Sequence, residues 1–142
     1  MRPTYEKQND RVNQFDVAKS YLKKGYEIEE MPPFFGFDVG FSMNKELKAV
    51  AEIKCRTHKH GTFPTYMISA EKYNKLCVFS QYSKIVTLLI VRWSCGTIGH
   101  VSLPTDASFF IGGRNDRNDP KDKEIVAHIP IHKFTIKNQS HQ

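Results

Sequence analysis

No apolar run in this 142-residue chain approaches the ~20 residues needed to cross a bilayer. The longest, Ile85–Val91, has the length of a strand and is interrupted by Thr87. A membrane partner is therefore not expected. The first ten residues, MRPTYEKQND, contain no apolar core of the kind a secretory signal requires, so a cytoplasmic protein is expected. Cysteine is scarce: Cys55, Cys77 and Cys95 are odd in number, widely spaced and form no CxxC pair. That argues against a disulfide framework and a zinc ribbon, and predicts three small buried hydrophobes in a reducing compartment. The six histidines are scattered, with no HxxxH pair on a helix to support zinc, and no GxGxxG or Walker sequence and no internal repeat is present, so nucleotide hydrolysis is not expected. Acidic residues are also in deficit, 15 against 21 Lys and Arg, which leaves a net charge of +6 suited to a polyanionic partner.

With 39% hydrophobic and 25% charged residues, the chain has the balance of a soluble globular protein. At this length one domain over 1–142 is expected. Its most informative stretch is FFGFDVGFSMNKELKAVAEIKCRT. This divides into strands Phe34–Ser42 and Lys48–Thr57 about a turn at Met43-Asn44-Lys45-Glu46. Folding the hairpin about Lys45 sets Asp38 opposite Glu52. Cross-strand partners share a face about 5 Å apart, and side chains two apart on a strand point the same way. Asp38, Glu52 and Lys54 are thus expected to cluster on one side, with Phe37, Val39, Ala51 and Ile53 forming an apolar reverse face. Such a charged trio is more often a solvated outer surface. Here Val50, Ala51 and Ile53 flank Glu52, so its strand reads as central, where an acid needs a reason.

Those residue types suit metal-assisted phosphodiester hydrolysis. Mg²⁺ prefers oxygen donors, keeps several waters and takes one or two carboxylates from a protein. Asp38 and Glu52 supply them, with the Ile53 backbone carbonyl as a third donor, and Mn²⁺ is expected to substitute. Lys54 is placed to orient or deprotonate the attacking water, or to touch the phosphate. The run Arg56, His58, Lys59 and His60 leaves this site directly and is where a nucleic-acid backbone would first be met.

Asp38 … Glu52-Ile53-Lys54 resembles the active-site motif of the PD-(D/E)XK nuclease superfamily, which includes restriction enzymes, Holliday-junction resolvases and small phage endonucleases. Phe37 stands where the motif's proline would be. The order of expected elements is similar to that family's αβββαβ core over about residues 5–103, leaving a loop and edge segment at 104–142. The resemblance implies an α/β restriction-endonuclease-like fold, a small mixed sheet flanked by helices. It also implies a Mg²⁺-dependent endonuclease acting on DNA, structure-directed or weakly sequence-specific. Asp38, Glu52 and Lys54 would be catalytic, Glu6 on the first helix a further metal ligand, and Lys72 a lysine reaching toward the DNA or the site. A non-catalytic nucleic-acid binder on the same fold and an exonuclease are the alternatives. Cutting both strands of a duplex or junction would call for a homodimer, for which Phe109, Phe110 and Ile111 are the candidate apolar patch.

Elsewhere, Val12, Phe15, Ala18, Lys19 and Leu22 lie on one face of a helix over Tyr5–Lys24 that Gly25 would end. A second helix over Ser69–Ser80 has Ser69 as N-cap and Tyr73, Leu76, Cys77 and Ser80 on one face. Gly61–Tyr66 reads as a loop in which Phe63 and Tyr66 are candidates to stack on a base. Lys84–Trp93 and Thr97–Leu103 form a second hairpin. Residues 112–123, GGRNDRNDPKDK, read as an exposed loop whose Arg114 and Arg117 are candidate DNA contacts. Glu124–Ile136 reads as an edge strand or irregular tail because of Pro130.

Overall fold

The computed structural model describes residues 13–32, 35–113 and 123–137. Residues 13–19 are helical (α1), and α2 spans Ala70–Ser83. The strands are β1 (Glu27–Glu30), β2 (Val39–Met43), β3 (Glu46–Cys55), β4 (Thr65–Ser69), β5 (Val86–Arg92), β6 (Ile98–Ser102), β7 (Ser108–Gly113), β8 (Lys123–Pro130) and β9 (Thr135–Ile136). Six of them form a mixed sheet in the order β1-β2-β3-β5-β6-β9, and the other three form a small antiparallel sheet, β4-β8-β7. The α/β class and the αβββαβ succession are present as α1-β1-β2-β3-α2-β5, with β4 inserted before α2. None of the described helices is long and apolar enough to cross a membrane.

The expected hairpin forms about the expected four residues, but its turn is centred between Asn44 and Lys45 rather than on Lys45. Asn44 and Lys45, at φ 52° and 67°, make a two-residue turn between Met43 and Glu46. Two successive positive φ values are what a tight hairpin turn requires. Met43 faces Glu46 and Ser42 faces Leu47. The register then shifts by one, so that Phe41 faces Ala49 and Val39 faces Ala51. Lys48 is the extra residue. Without that bulge Asp38 would stand opposite Ala51 and point away from Glu52, because a one-residue slip moves every side chain to the other face. The turn and the bulge together restore the pairing that a turn centred on Lys45 would have produced.

β3 is central, antiparallel to β2 and parallel to β5, with Glu52 beside Leu89 and Lys54 beside Val91. Both of its faces are covered. Ala51 and Ile53 pack with Val39, Phe41, Ile90 and the α1 residues Val17 and Ala18. Val50 packs with Leu89 and Val91 against Tyr73, Leu76 and Cys77 of α2 and Tyr66, Ile68, Ala127 and Ile129 of the small sheet. Phe37 belongs to this second cluster and not, as expected, to the first. It lies just before β2, outside the strand's alternation, and meets Phe79 of α2 edge-on at 4.5 Å.

Several other expectations are corrected. The first helix ends at Lys19, and the face expected from periodicity carried on to Leu22 holds only in part: Ala18 is buried, but Phe15 and Leu22 are exposed and Val17, off that face, is buried in their place. Residues 5–12 of that expected helix lie outside the described residues. Thr65 and Tyr66, the end of the expected loop, begin strand β4, and β8 is the middle of a sheet rather than an edge, with Pro130 at its last position, where the ladder ends. The segment after 103 therefore completes the core instead of trailing from it. Cys77 is buried, but Cys55 and Cys95 are exposed.

Candidate active site

Asp38 is held by its backbone and its side chain at once. Its N–H donates to the Ala51 carbonyl (2.9 Å), its carbonyl accepts from Met31 N–H (3.2 Å), and its Oδ2 accepts from Ile53 N–H (2.7 Å). The side chain thus takes over the ladder where the β2 backbone stops. Burial raises the Asp38 carboxyl most, and the Glu52 carboxylate adds to it. Ile53 N–H, Lys54 and Lys72 pull the other way. The balance is a pKa of about 6 against the ordinary 3.8.

Glu52 is only 3% exposed, on the face of β3 that also carries Val50. A carboxylate in such surroundings persists only with partners. It has two: Lys54 Nζ lies 3.2 Å from Oε2, and Lys72 Nζ lies 3.4 Å from Oε1. Lys72 is in the first turn of α2, where its N–H is capped by Ser69 Oγ (3.1 Å), and its ammonium also donates to the Gly36 carbonyl (3.3 Å). Gly36, at φ +89°, turns the chain that leads into Asp38. Strand β3, helix α2 and the 36–38 bend therefore meet at one point. Lys54 and Lys72 remain 42% and 33% exposed, so the site opens to solvent on its cationic side.

Asp38, Glu52 and Lys54 are brought together as expected, and Lys72 joins them. Glu6 lies outside the described residues. A side chain that sequence reasoning missed, Gln14 on α1, donates from Nε2 to the Ile53 carbonyl at 3.4 Å. The signal available for it was its place on the helix already expected to reach the site. Among the described residues no cluster of three or more His, Cys, Asp or Glu side chains forms. The oxygen donors present are the Asp38 and Glu52 carboxylates and the Ile53 carbonyl. That hard, carboxylate-poor set fits an ion such as Mg²⁺ that keeps much of its water. The Asp38 carboxyl is raised chiefly by its burial and further by the neighbouring Glu52 carboxylate.

The basic run is less uniform than its sequence. Arg56 donates to the Tyr66 hydroxyl and the Met67 carbonyl (3.1 Å), and its guanidinium covers the Tyr66 ring at 4.4 Å. Tyr66 is buried, so of the two proposed stacking residues only Phe63 is accessible. His58 meets Phe63 edge-on (4.8 Å), Lys59 is exposed, and His60 packs against Trp93 (4.7 Å). Arg114 and Arg117 lie outside the described residues. Phe109 packs edge-on against Tyr73 (5.8 Å), whereas Ile111 is open to solvent.

No curated protein matches the chain. Among solved structures it is similar to Hjc from Archaeoglobus fulgidus, a Holliday junction resolvase from an archaeal hyperthermophile. Identity is 9%, coverage 85% of this chain and 78% of that one, and the TM-score 0.47. A family model described as phage PDDEXK endonuclease matches residues 1–137. That match takes in all but the last five positions, the β3 motif and both helices included, and the chain accordingly belongs to the phage PDDEXK endonuclease family, nucleases of the PD-(D/E)XK type.

Proposed function

We propose that the protein is a Mg²⁺-dependent endodeoxyribonuclease, with Mn²⁺ able to substitute, that cuts DNA with structural or weak sequence preference. One observation carries the proposal: Glu52, almost fully buried, is close enough to Asp38 to raise its carboxyl and is flanked by two lysines that solvent still reaches. A structural ion pair would not need a second carboxylate raised to about 6 beside it.

Asp38, Glu52 and the Ile53 carbonyl would hold the ion, which supplies Lewis-acid stabilisation of the phosphate and a bound water of lowered pKa. The protein's own residues do the rest. The half-exposed Lys54 ammonium is a donor for a non-bridging phosphate oxygen and for the attacking water. Lys72, anchored to Gly36, holds the Glu52 carboxylate in its orientation. Gln14 fixes the Ile53 peptide. Net charge +6 supplies sequence-independent affinity for the backbone. The sequence carries no helix-turn-helix or zinc-finger signature, which favours a structural or weak preference over tight sequence reading. Cutting both strands of a duplex or junction requires two such centres, as in a homodimer.

The test is incubation with closed circular plasmid and with a labelled four-way junction, each with Mg²⁺, Mn²⁺ or EDTA. Asp38→Ala and Lys54→Ala variants run in parallel. Metal-dependent nicking or junction cutting that both variants lose while still binding DNA supports the proposal. Binding without cleavage under every metal, alike in wild type and variants, replaces it with a non-catalytic binder. Degradation confined to linear substrates indicates an exonuclease.

A further inference from the structure

We propose that the groove of about 660 Å³ between the 56–64 loop and the outer face of the small sheet receives an unpaired nucleotide of the substrate next to the scissile phosphate. This rests on the nuclease proposal and adds to it the class of substrate, nucleic acid with single-stranded character at the cut.

Three observations converge on it. First, Arg56 places the groove next along β3 from the nuclease site. Arg56 N–H still bonds the Arg92 carbonyl (2.8 Å), so β3's alternation extends to it, and Glu52, Lys54 and Arg56 share a face. Arg56 lies about 7 Å beyond Lys54 by strand rise, close to the separation of neighbouring phosphates along a strand. Arg56 also lines the groove. A strand whose phosphate sits at Lys54 therefore arrives at the groove one nucleotide later.

Second, the walls are aromatic and open. Phe63, Met67 and Phe110 are 52%, 54% and 54% exposed, although the molecule has two well-filled cores that could have taken them. All three line this one groove. Exposed apolar side chains gathered into a concavity mark a binding surface, and every base offers a face to stack on.

Third, the polar groups suit a nucleotide. Arg56, His58 and His128 line the groove, and no carboxylate does so among the described residues. His128 is held from behind, Nδ1 to Thr65 Oγ1 at 2.8 Å and ring edge-on to Phe110 at 4.9 Å. His58 is held against Phe63 at 4.8 Å. Cationic and hydrogen-bonding groups around an apolar slot, in a chain of net charge +6, match a base on its phosphodiester better than they match an apolar peptide. Duplex DNA cannot fill the slot without unpairing a base.

The experiment measures binding in EDTA, so that cleavage plays no part, by fluorescence anisotropy. The probes are a blunt duplex and the same duplex carrying a single-stranded flap with 2-aminopurine at its first unpaired position. The wild type is expected to bind the flap at least 10-fold more tightly and to quench the 2-aminopurine. Phe63→Ala and Phe110→Ala should each weaken flap binding about 5- to 150-fold, the loss of one base–aromatic stack. Phe63→Trp should keep the preference, which guards against a folding artefact. Wild-type protein that shows the flap preference in EDTA but cuts no substrate under any metal fails the nuclease proposal and not this one. Equal affinity for both probes, or equal loss on both in the phenylalanine variants, overturns the inference. So does a concentration-dependent dimer that Phe110→Ala dissolves without altering flap binding.

Discussion

The side chain of Asp38 accepts the backbone N–H of Ile53 at 2.7 Å, joining the two arms of the motif. One end of the carboxylate is thereby committed to the sheet, and Oδ1 is left for the site. The same contact lowers the Asp38 pKa, yet burial and Glu52 outweigh it and bring the group to about 6. The site stores unfavourable electrostatics that a cation would release.

Stability without metal should therefore fall as pH rises from about 4 to 6. The folded pKa, about 6, lies above the ordinary 3.8. In that window the unfolded chain gives up the Asp38 proton while the folded one keeps it, so the unfolded state binds fewer protons and is increasingly favoured. Above pH 6 the loss is complete, roughly 2–3 kcal/mol at 1.36 kcal/mol per unit. Thermal melts in EDTA across pH 3.5–7.5 measure it. Cleavage should show the opposite trend, declining about tenfold per pH unit below about 6 as the carboxylate is protonated.

Asp38→Asn should abolish cleavage and raise the melting temperature in EDTA at pH 7.5 by several degrees. An amide oxygen can still accept the Ile53 N–H, while the charge is gone. Adding Mg²⁺ should stabilise the wild type and leave this variant unmoved. A melting temperature below wild type in EDTA would contradict the electrostatic account.

Lys72→Met removes one of the two cations that compensate Glu52. Losing a partner of a fully buried pair costs ~3–5 kcal/mol. Lys72 is one-third exposed, so about 1–2 kcal/mol is expected. Adding Glu52→Gln should recover most of that, which a double-mutant cycle in urea would show. Lys54→Met, at the more exposed position, should cost less stability and at least 100-fold in cleavage.

Gln14→Ala should change stability little and raise the Mg²⁺ concentration for half-maximal cleavage about 10- to 100-fold, the usual effect of freeing a group that orients a ligand. Titration of initial rate with Mg²⁺ at saturating DNA measures this. An unchanged metal requirement would make the Gln14–Ile53 contact purely structural.

Lys45→Gly should stabilise the fold by about 1 kcal/mol without altering cleavage. Lys45 and its neighbour Asn44 both sit at positive φ, where only glycine pays no steric cost. Chemical denaturation and the plasmid assay test the two halves of that statement.

The trio Asp38, Glu52 and Lys54 was legible because strand alternation is a local rule and two adjacent strands joined by a short turn leave few registers. The second helix was legible for the same reason: Ser69 caps it, and Tyr73, Leu76 and Cys77 recur at helical spacing and are buried. The Lys48 bulge was not legible. The sequence reading reached the right pairing and the right four turn residues with a hairpin symmetric about Lys45, because nothing local distinguishes a symmetric hairpin from a tight turn plus a bulge.

What the sequence determined by itself was therefore the charge, the absence of a membrane-spanning run, and a motif whose spacing places an acid–acid–lysine cluster on one face. Tertiary structure decided everything that depends on pairing across long separations. Thr65–Ser69 became a strand only because β8, some sixty residues later, completes its ladder. Tyr66 was thereby drawn into the core, leaving little of it open to solvent. Glu52 acquired Lys72, and Ile53 acquired Gln14, from helices that no local periodicity could orient. Propensity acts within a few residues, whereas burial and ion pairing are settled by whichever distant elements close over the strand.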